Sequence, residues 1–173
     1  VKIFVPEALC EQLSRELKLA GRREIGGVLV AEYLGDGTFN LMDASVQRHG
    51  GTQMTFERDP EQHRQFLADF YQRTGHDYAR FNYLGEWHSH PTVAALPSYR
   101  DISSMQEIVS DPAVNAPFAV LMIARRRFWR GLELSATVFR PAELPCPALL
   151  FPLQPSNGGH AFEQLQSRRD HLR

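Results

Sequence analysis

A chain of 173 residues, 43% hydrophobic and 10% aromatic, can bury about 70% of its unfolded surface in one core, so a single compact domain is expected. Lysine plus arginine (19) nearly balances aspartate plus glutamate (20), which excludes the long-range field that gathers nucleic acid or an anionic membrane surface. Cys10 and Cys146 lie far apart and in no metal-type spacing, which argues against a disulfide scaffold; both are expected as free thiols in a reducing compartment.

The first residues carry neither a basic flank nor an apolar run of signal-peptide length. No stretch approaches the ~20 apolar residues of a membrane span, so the expectation is a soluble, cytoplasmic protein. Residues 1–5 alternate as a short strand does, and after Pro6 the leucines at 9, 13 and 17 repeat at helical spacing until Gly21. Two apolar runs, 25–34 and 39–46, flank Gly35-Asp36-Gly37, a turn sequence suited to an antiparallel hairpin. Asp59, Pro60 and Gln62 read as an N-cap, a first-turn proline and a capping-box partner for a second helix with Phe66, Leu67, Phe70 and Tyr71 on one face. That helix fades before Gly75.

Residues 81–88 read as the next strand. A loop with Pro91 and Pro97 leads to Ser98, from which Ile102, Met105, Ile108 and Val109 mark a third helix ending near Asp111-Pro112. Residues 118–124 and 132–139 form a second hairpin whose tip holds Arg125, Arg126, Arg127 and Arg130. From Pro141 onward, prolines at 141, 145, 147, 152 and 155 rule out regular helix or central strand. The division expected is therefore a domain over 1–140 and a Pro-rich tail over 141–173, with Leu149, Leu150, Phe151 and Leu153 able to strap onto the domain.

The chemistry lies where a strand runs into a loop. His88 and His90 close the strand, and side chains of period two put both imidazoles on one face. Seven residues separate His90 from Ser98, and Asp101 then falls in the first turn of the third helix, where a carboxylate reaches the same point. Two histidines and one carboxylate leave the fourth position of a tetrahedral Zn²⁺ open, the mark of a catalytic rather than a closed structural site. Glu86 shares the strand parity of the histidines and reads as a rival ligand or, preferably, as a partner that orients one of them or a structural residue. Trp87, of opposite parity, reads as core, and the other histidines (His49, His63, His76, His160, His171) as surface residues.

Glu24, followed at long range by His-Ser-His-Pro at 88–91, with seven residues between His90 and Ser98, and by Ser-Tyr-Arg-Asp at 98–101, resembles the full signature of the JAMM (MPN+) zinc metalloproteases. Tyr-Leu-Gly-Glu-Trp at 83–87 is similar to the prokaryotic JAB-domain members, including the deconjugating isopeptidases of bacterial CBASS-type anti-phage operons. The resemblance covers about residues 1–140 and implies a mixed α/β fold, a three-layer α/β/α sandwich like that of the cytidine deaminases. It implies one zinc per chain on His88, His90 and Asp101, with Glu24 as general base and acid and Ser98 as a donor to the oxyanion. It implies a substrate amide bond after the C-terminal tail of a ubiquitin-like protein, or of a protein conjugated in that way, with the tail added as a strand to a sheet edge. Activating and conjugating enzymes of the same operon would be partners, and neither nucleic acid nor membrane.

Two other readings compete. A non-catalytic MPN scaffold that only binds a ubiquitin-like partner usually lacks ligands, and none is missing here. A base deaminase uses His-x-Glu with Pro-Cys-x-x-Cys, whereas this chain has Pro145-Cys146-Pro147-Ala148 and no second cysteine at the right distance. The arginine cluster at 125–130 reads most simply as a solvated hairpin tip, with contact to an acidic partner as the alternative.

Overall fold

The computed structural model describes residues 1–52, 58–114, 116–127 and 131–153. In chain order these form β1 (Lys2–Pro6), α1 (Glu7–Ala20), β2 (Gly26–Gly35), β3 (Thr38–Ala44), α2 (Pro60–Arg73), β4 (Phe81–Ser89), α3 (Tyr99–Ser110), β5 (Ala119–Arg127), β6 (Gly131–Phe139), β7 (Cys146–Pro147) and β8 (Leu149–Leu153). The strands make one mixed sheet in the order β7-β6-β5-β4-β2-β3-β1-β8. Helices cover both of its faces, which is the three-layer α/β sandwich expected from the sequence.

Periodicity explains the layers. Leu9, Leu13 and Leu17 line one side of α1 and are buried against Trp87, Val120 and Met122, whose strand parity places them on a single sheet face. Trp87 is fully buried there, and its indole N–H donates to the Ser45 carbonyl at 2.8 Å. The alternate residues of β5, Leu121 and Ile123, look the other way and pack with Met105 and Val109 of α3. The β2–β3 hairpin turns at Gly35, Asp36 and Gly37, all of positive φ, the conformation that glycine adopts freely. Asp59 caps α2 by accepting from the Glu61 N–H at 3.0 Å. Gln62 does not complete a capping box, because its side-chain amide donates to the Asp59 carboxylate instead.

The segment after Pro141 is drawn into the sheet as far as Leu153. The Ala148 N–H donates to Ala136 of β6 at 2.9 Å, and the next residue, Leu149, donates to Val1 beside β1 at 3.0 Å. One short stretch thus touches both borders of the sheet, with β7 beside β6 and β8 parallel to β1. Pro147 and Pro152 sit on outer strands, where a missing N–H costs no ladder bond. Residues 154–173 and Arg130 lie outside the described residues. Both cysteines are free, and no helix among the described residues is long and apolar enough to cross a membrane.

Candidate metal centre

His88 ends β4, pairs with Gly26 of β2 on one side and Ile123 of β5 on the other, and is thereby held on the face that carries α3. His90 lies one pleat further on, its backbone N–H donating to the Ala124 carbonyl at 2.9 Å. The His90 Nδ1 stands 3.0 Å from the Ala94 carbonyl, and since a carbonyl only accepts, Nδ1 carries the proton. The lone pair of the neutral ring is therefore on Nε2, which faces the Nε2 of His88 at 3.1 Å.

Asp101 completes the group from the first turn of α3. Its Oδ1 is 3.3 Å from His88 Nε2, and its Oδ2 is 3.5 Å from His90 Nε2. Ligand atoms about 2.0–2.1 Å from a tetrahedral zinc stand about 3.3–3.4 Å from one another, so these spacings fit the ion. Among the described residues, this is the group of three such side chains that can hold a metal. Burial disfavours the ionised Asp101, but the two imidazoles and the Ser98 side chain outweigh it and hold the carboxyl well below its usual range. For His90 burial opposes the charged ring, and the Asp101 carboxylate with the Ala94 carbonyl overcomes it, raising the pKa.

Glu24 reaches this centre through strand pairing. Ile25 and Ser89 exchange two hydrogen bonds, Ile25 N–H to Ser89 Oγ at 3.0 Å and Ser89 N–H to the Ile25 carbonyl at 2.8 Å. The Glu24 N–H donates to the Thr52 carbonyl at 2.7 Å. The carboxyl is buried (5% exposed), and burial raises its pKa against the pull of His88 and His90, with Asp101 adding to the rise. A carboxyl tuned upward beside a metal site is suited to exchanging protons near neutral pH. Ser98 is the N-cap of α3: its Oγ accepts from the Asp101 N–H at 3.2 Å, and its own N–H donates to Asp101 Oδ2 at 2.6 Å.

Glu86 takes no place among the ligands. Its Oε1 accepts from Arg58 Nε at 2.5 Å, so it serves to hold the segment that leads into α2. His63 departs from the surface position expected of it. It is buried (1% exposed), with Nδ1 2.8 Å from Ser45 Oγ and Nε2 3.2 Å from Gln47 Oε1. His63 lies 18 and 16 positions from Ser45 and Gln47 along the chain, beyond any periodic signal. His49 and His76 are exposed, and His160 and His171 lie outside the described residues. Cys146 sits on the outer strand β7, separated from β4 by β6 and β5, which leaves it no part in the centre.

The chain belongs to the family described as prokaryotic homologs of the JAB domain, whose profile matches residues 6–132, a span that holds Glu24, His88, His90, Ser98 and Asp101. It is similar to a CD-NTase/cGAS isopeptidase of Enterobacter hormaechei subsp. hoffmannii, 27% identical over 146 residues that cover 83% of this chain and 78% of the relative. Proteins of the same name from Escherichia coli and Vibrio cholerae are 29% and 28% identical, over 64% and 69% of this chain and 68% and 75% of their own lengths. In fold it is similar to the solution structure of a Desulfitobacterium hafniense protein, with a TM-score of 0.64 at 17% identity, over 91% of this chain and 99% of that one.

Proposed function

We propose that this chain is a zinc-dependent isopeptidase of bacterial anti-phage defence, hydrolysing the amide bond after the C-terminus of a ubiquitin-like protein or of a protein conjugated in that way. The observation that carries the reading is the convergence of His88, His90 and Asp101 within 4.8 Å of one another, with buried Glu24 electrostatically coupled to all three. The names of the relatives add a candidate substrate, a conjugate of a CD-NTase.

His88, His90 and Asp101 would hold a zinc ion, which would supply Lewis acidity toward the scissile carbonyl and a water. Glu24 accepts the proton of the attacking water and returns it to the amine nitrogen as the C–N bond breaks. The Ser98 hydroxyl, whose oxygen accepts from the Asp101 N–H while its hydrogen serves the Asp101 carboxylate, would turn that hydrogen to the developing oxyanion. Activating and conjugating enzymes encoded beside it would supply the conjugates.

The test is Glu24→Gln measured on a CD-NTase joined through its C-terminal tail to a lysine amine. The expected result is unchanged zinc content with cleavage reduced by about 10²–10⁴-fold. Retained turnover would remove Glu24 from the mechanism. Tight binding of the conjugate by the unaltered, zinc-loaded protein without any cleavage would favour the scaffold reading.

A further inference from the structure

The strand next to the metal centre outruns its neighbour. β4 pairs with β5 as far as Ser89 opposite Ala124, and the His90 N–H then takes the Ala124 carbonyl. β5 continues to Arg127, still paired with β6 on its other side through Arg126↔Leu132 and Arg127↔Gly131. Residues along a strand present their backbone groups alternately to the two sides. Ala124 faces β4, so Arg126 presents its N–H and C=O in the same direction, into the space beyond the end of β4. Among the described residues no strand lies against β5 there.

Side-chain parity fixes what borders this open edge. Ile123 is paired with His88 and packs beneath α3, so Arg125 and Arg127 follow it on the same face at steps of about 7 Å. Both project on the metal side of the sheet. Ala95 is packed into the same apolar group as Ile123, which pins the loop between His90 and Ser98 over β5 rather than beyond it. Among the described residues no ion pair holds Arg125 or Arg126. The facing carboxylate is Glu133, opposite Arg125 in register and 3.7 Å from Arg127 in an exposed pair. Such a pair contributes little and yields to a better carboxylate.

We infer that the open edge of β5 at residues 125–127 receives an extended, acidic segment of the protein substrate as an added strand, leading its tail to the metal centre. Arg126 supplies the backbone hydrogen bonds, and Arg125 and Arg127 read carboxylates two residues apart on the metal side of the incoming strand. The inference rests on the isopeptidase reading for its link to catalysis, and its recognition step is measured without turnover.

The test uses zinc-loaded Glu24→Gln protein and fluorescence anisotropy with three fluorescein-labelled ten-residue peptides. One has glutamates at i and i+2, one has them at i and i+1, and one has lysines at i and i+2. The first should bind about tenfold tighter than the second and weaken with salt. R125E/R127E should transfer the preference to the lysine peptide, while R125K/R127K, which keeps the charge, should retain the original order. Equal affinity for both glutamate peptides, or a preference untouched by the charge reversal in a protein of unchanged circular dichroism, would overturn the inference. Selective binding together with no cleavage of an amide-linked version by the unaltered protein would instead count against the isopeptidase reading. Cleavage without any selection by charge spacing would leave that reading intact and end this one.

Discussion

Asp101 and Ser98 are bound to each other twice, and one of these bonds uses the carboxylate oxygen that faces His90. Asp101 Oδ2 accepts the Ser98 N–H at 2.6 Å while standing 3.5 Å from His90 Nε2, and the Asp101 N–H returns to Ser98 Oγ at 3.2 Å. The capping box that starts α3 is therefore also what aims a carboxylate at the two imidazoles. Cap and ligand can be separated by mutation.

Ser98→Ala removes an acceptor from the first turn of α3 and should cost about 1 kcal/mol in urea unfolding of metal-free protein. Its zinc content should stay near one per chain. Asp101→Ala keeps the N–H that Ser98 Oγ caps but removes the carboxylate that accepts the Ser98 N–H and faces both imidazoles, and it should lose the metal. Zinc retained by Asp101→Ala at the level of the unaltered protein would exclude Asp101 as a ligand.

The imidazoles make a second prediction. A ligand that binds only the folded chain raises stability by about 2.7 kcal/mol at one hundred times its dissociation constant. Added zinc should therefore raise the thermal midpoint of the unaltered protein and leave His88→Ala/His90→Ala unmoved. Elemental analysis should find zinc in the first protein and none in the second. A shift of equal size in both would place the metal elsewhere.

The second residue of β2, Gly27, carries a third. A Cβ on Gly27 would lie 2.2 Å from the Ser45 carbonyl oxygen, a backbone atom that also accepts the Trp87 indole N–H. Gly27→Ala must push the two backbones apart, loosening Trp87 and the Ser45 hydroxyl that bonds the Val28 N–H. Overpacking of this sort costs typically 1–3 kcal/mol. Chemical denaturation should show a loss in that range, and a neutral result would mean that residue 45 moves freely.

How far these contacts could be read in advance depended on their span. The pairing of His88 with His90 follows from strand alternation alone, and the Ser98–Asp101 box from a spacing of three. Glu24 is different: its place beside the histidines comes from pairing between Ile25 and Ser89, 64 residues apart, which no local period encodes. Resemblance to a family signature brought it forward where spacing did not. The prolines at 147 and 152 argued against helix and central strand, and both stand in outer strands, because an edge tolerates what an interior does not. His63 was misplaced at the surface for a related reason, since its partners Ser45 and Gln47 arrive from another element.

Burial of His63 sets the last prediction. Nε2 faces an oxygen, Gln47 Oε1, and so carries a proton, while in the neutral ring Nδ1 accepts from the hydroxyl of Ser45, whose oxygen accepts from the Val28 N–H; every group of the neutral arrangement is then paired. Burial accordingly lowers its pKa from the ordinary 6.5, with Arg58 reinforcing the shift against Asp59. As pH falls below 6.5 the unfolded chain takes up a proton that the folded chain refuses, so unfolding becomes easier until the lowered folded value is passed. Above 6.5 both forms are neutral and the contribution is constant. Urea unfolding should be followed from pH 7.5 to 5 in the His88→Ala/His90→Ala background, where metal and the imidazole pair play no part. Adding His63→Gln should remove a downward slope below 6.5, whatever its effect on absolute stability, and the difference between the two proteins cancels the opposite contribution of Glu24. Parallel pH profiles for the two proteins would show that His63 is charged in the folded state and that the Ser45–His63–Gln47 arrangement carries an extra proton.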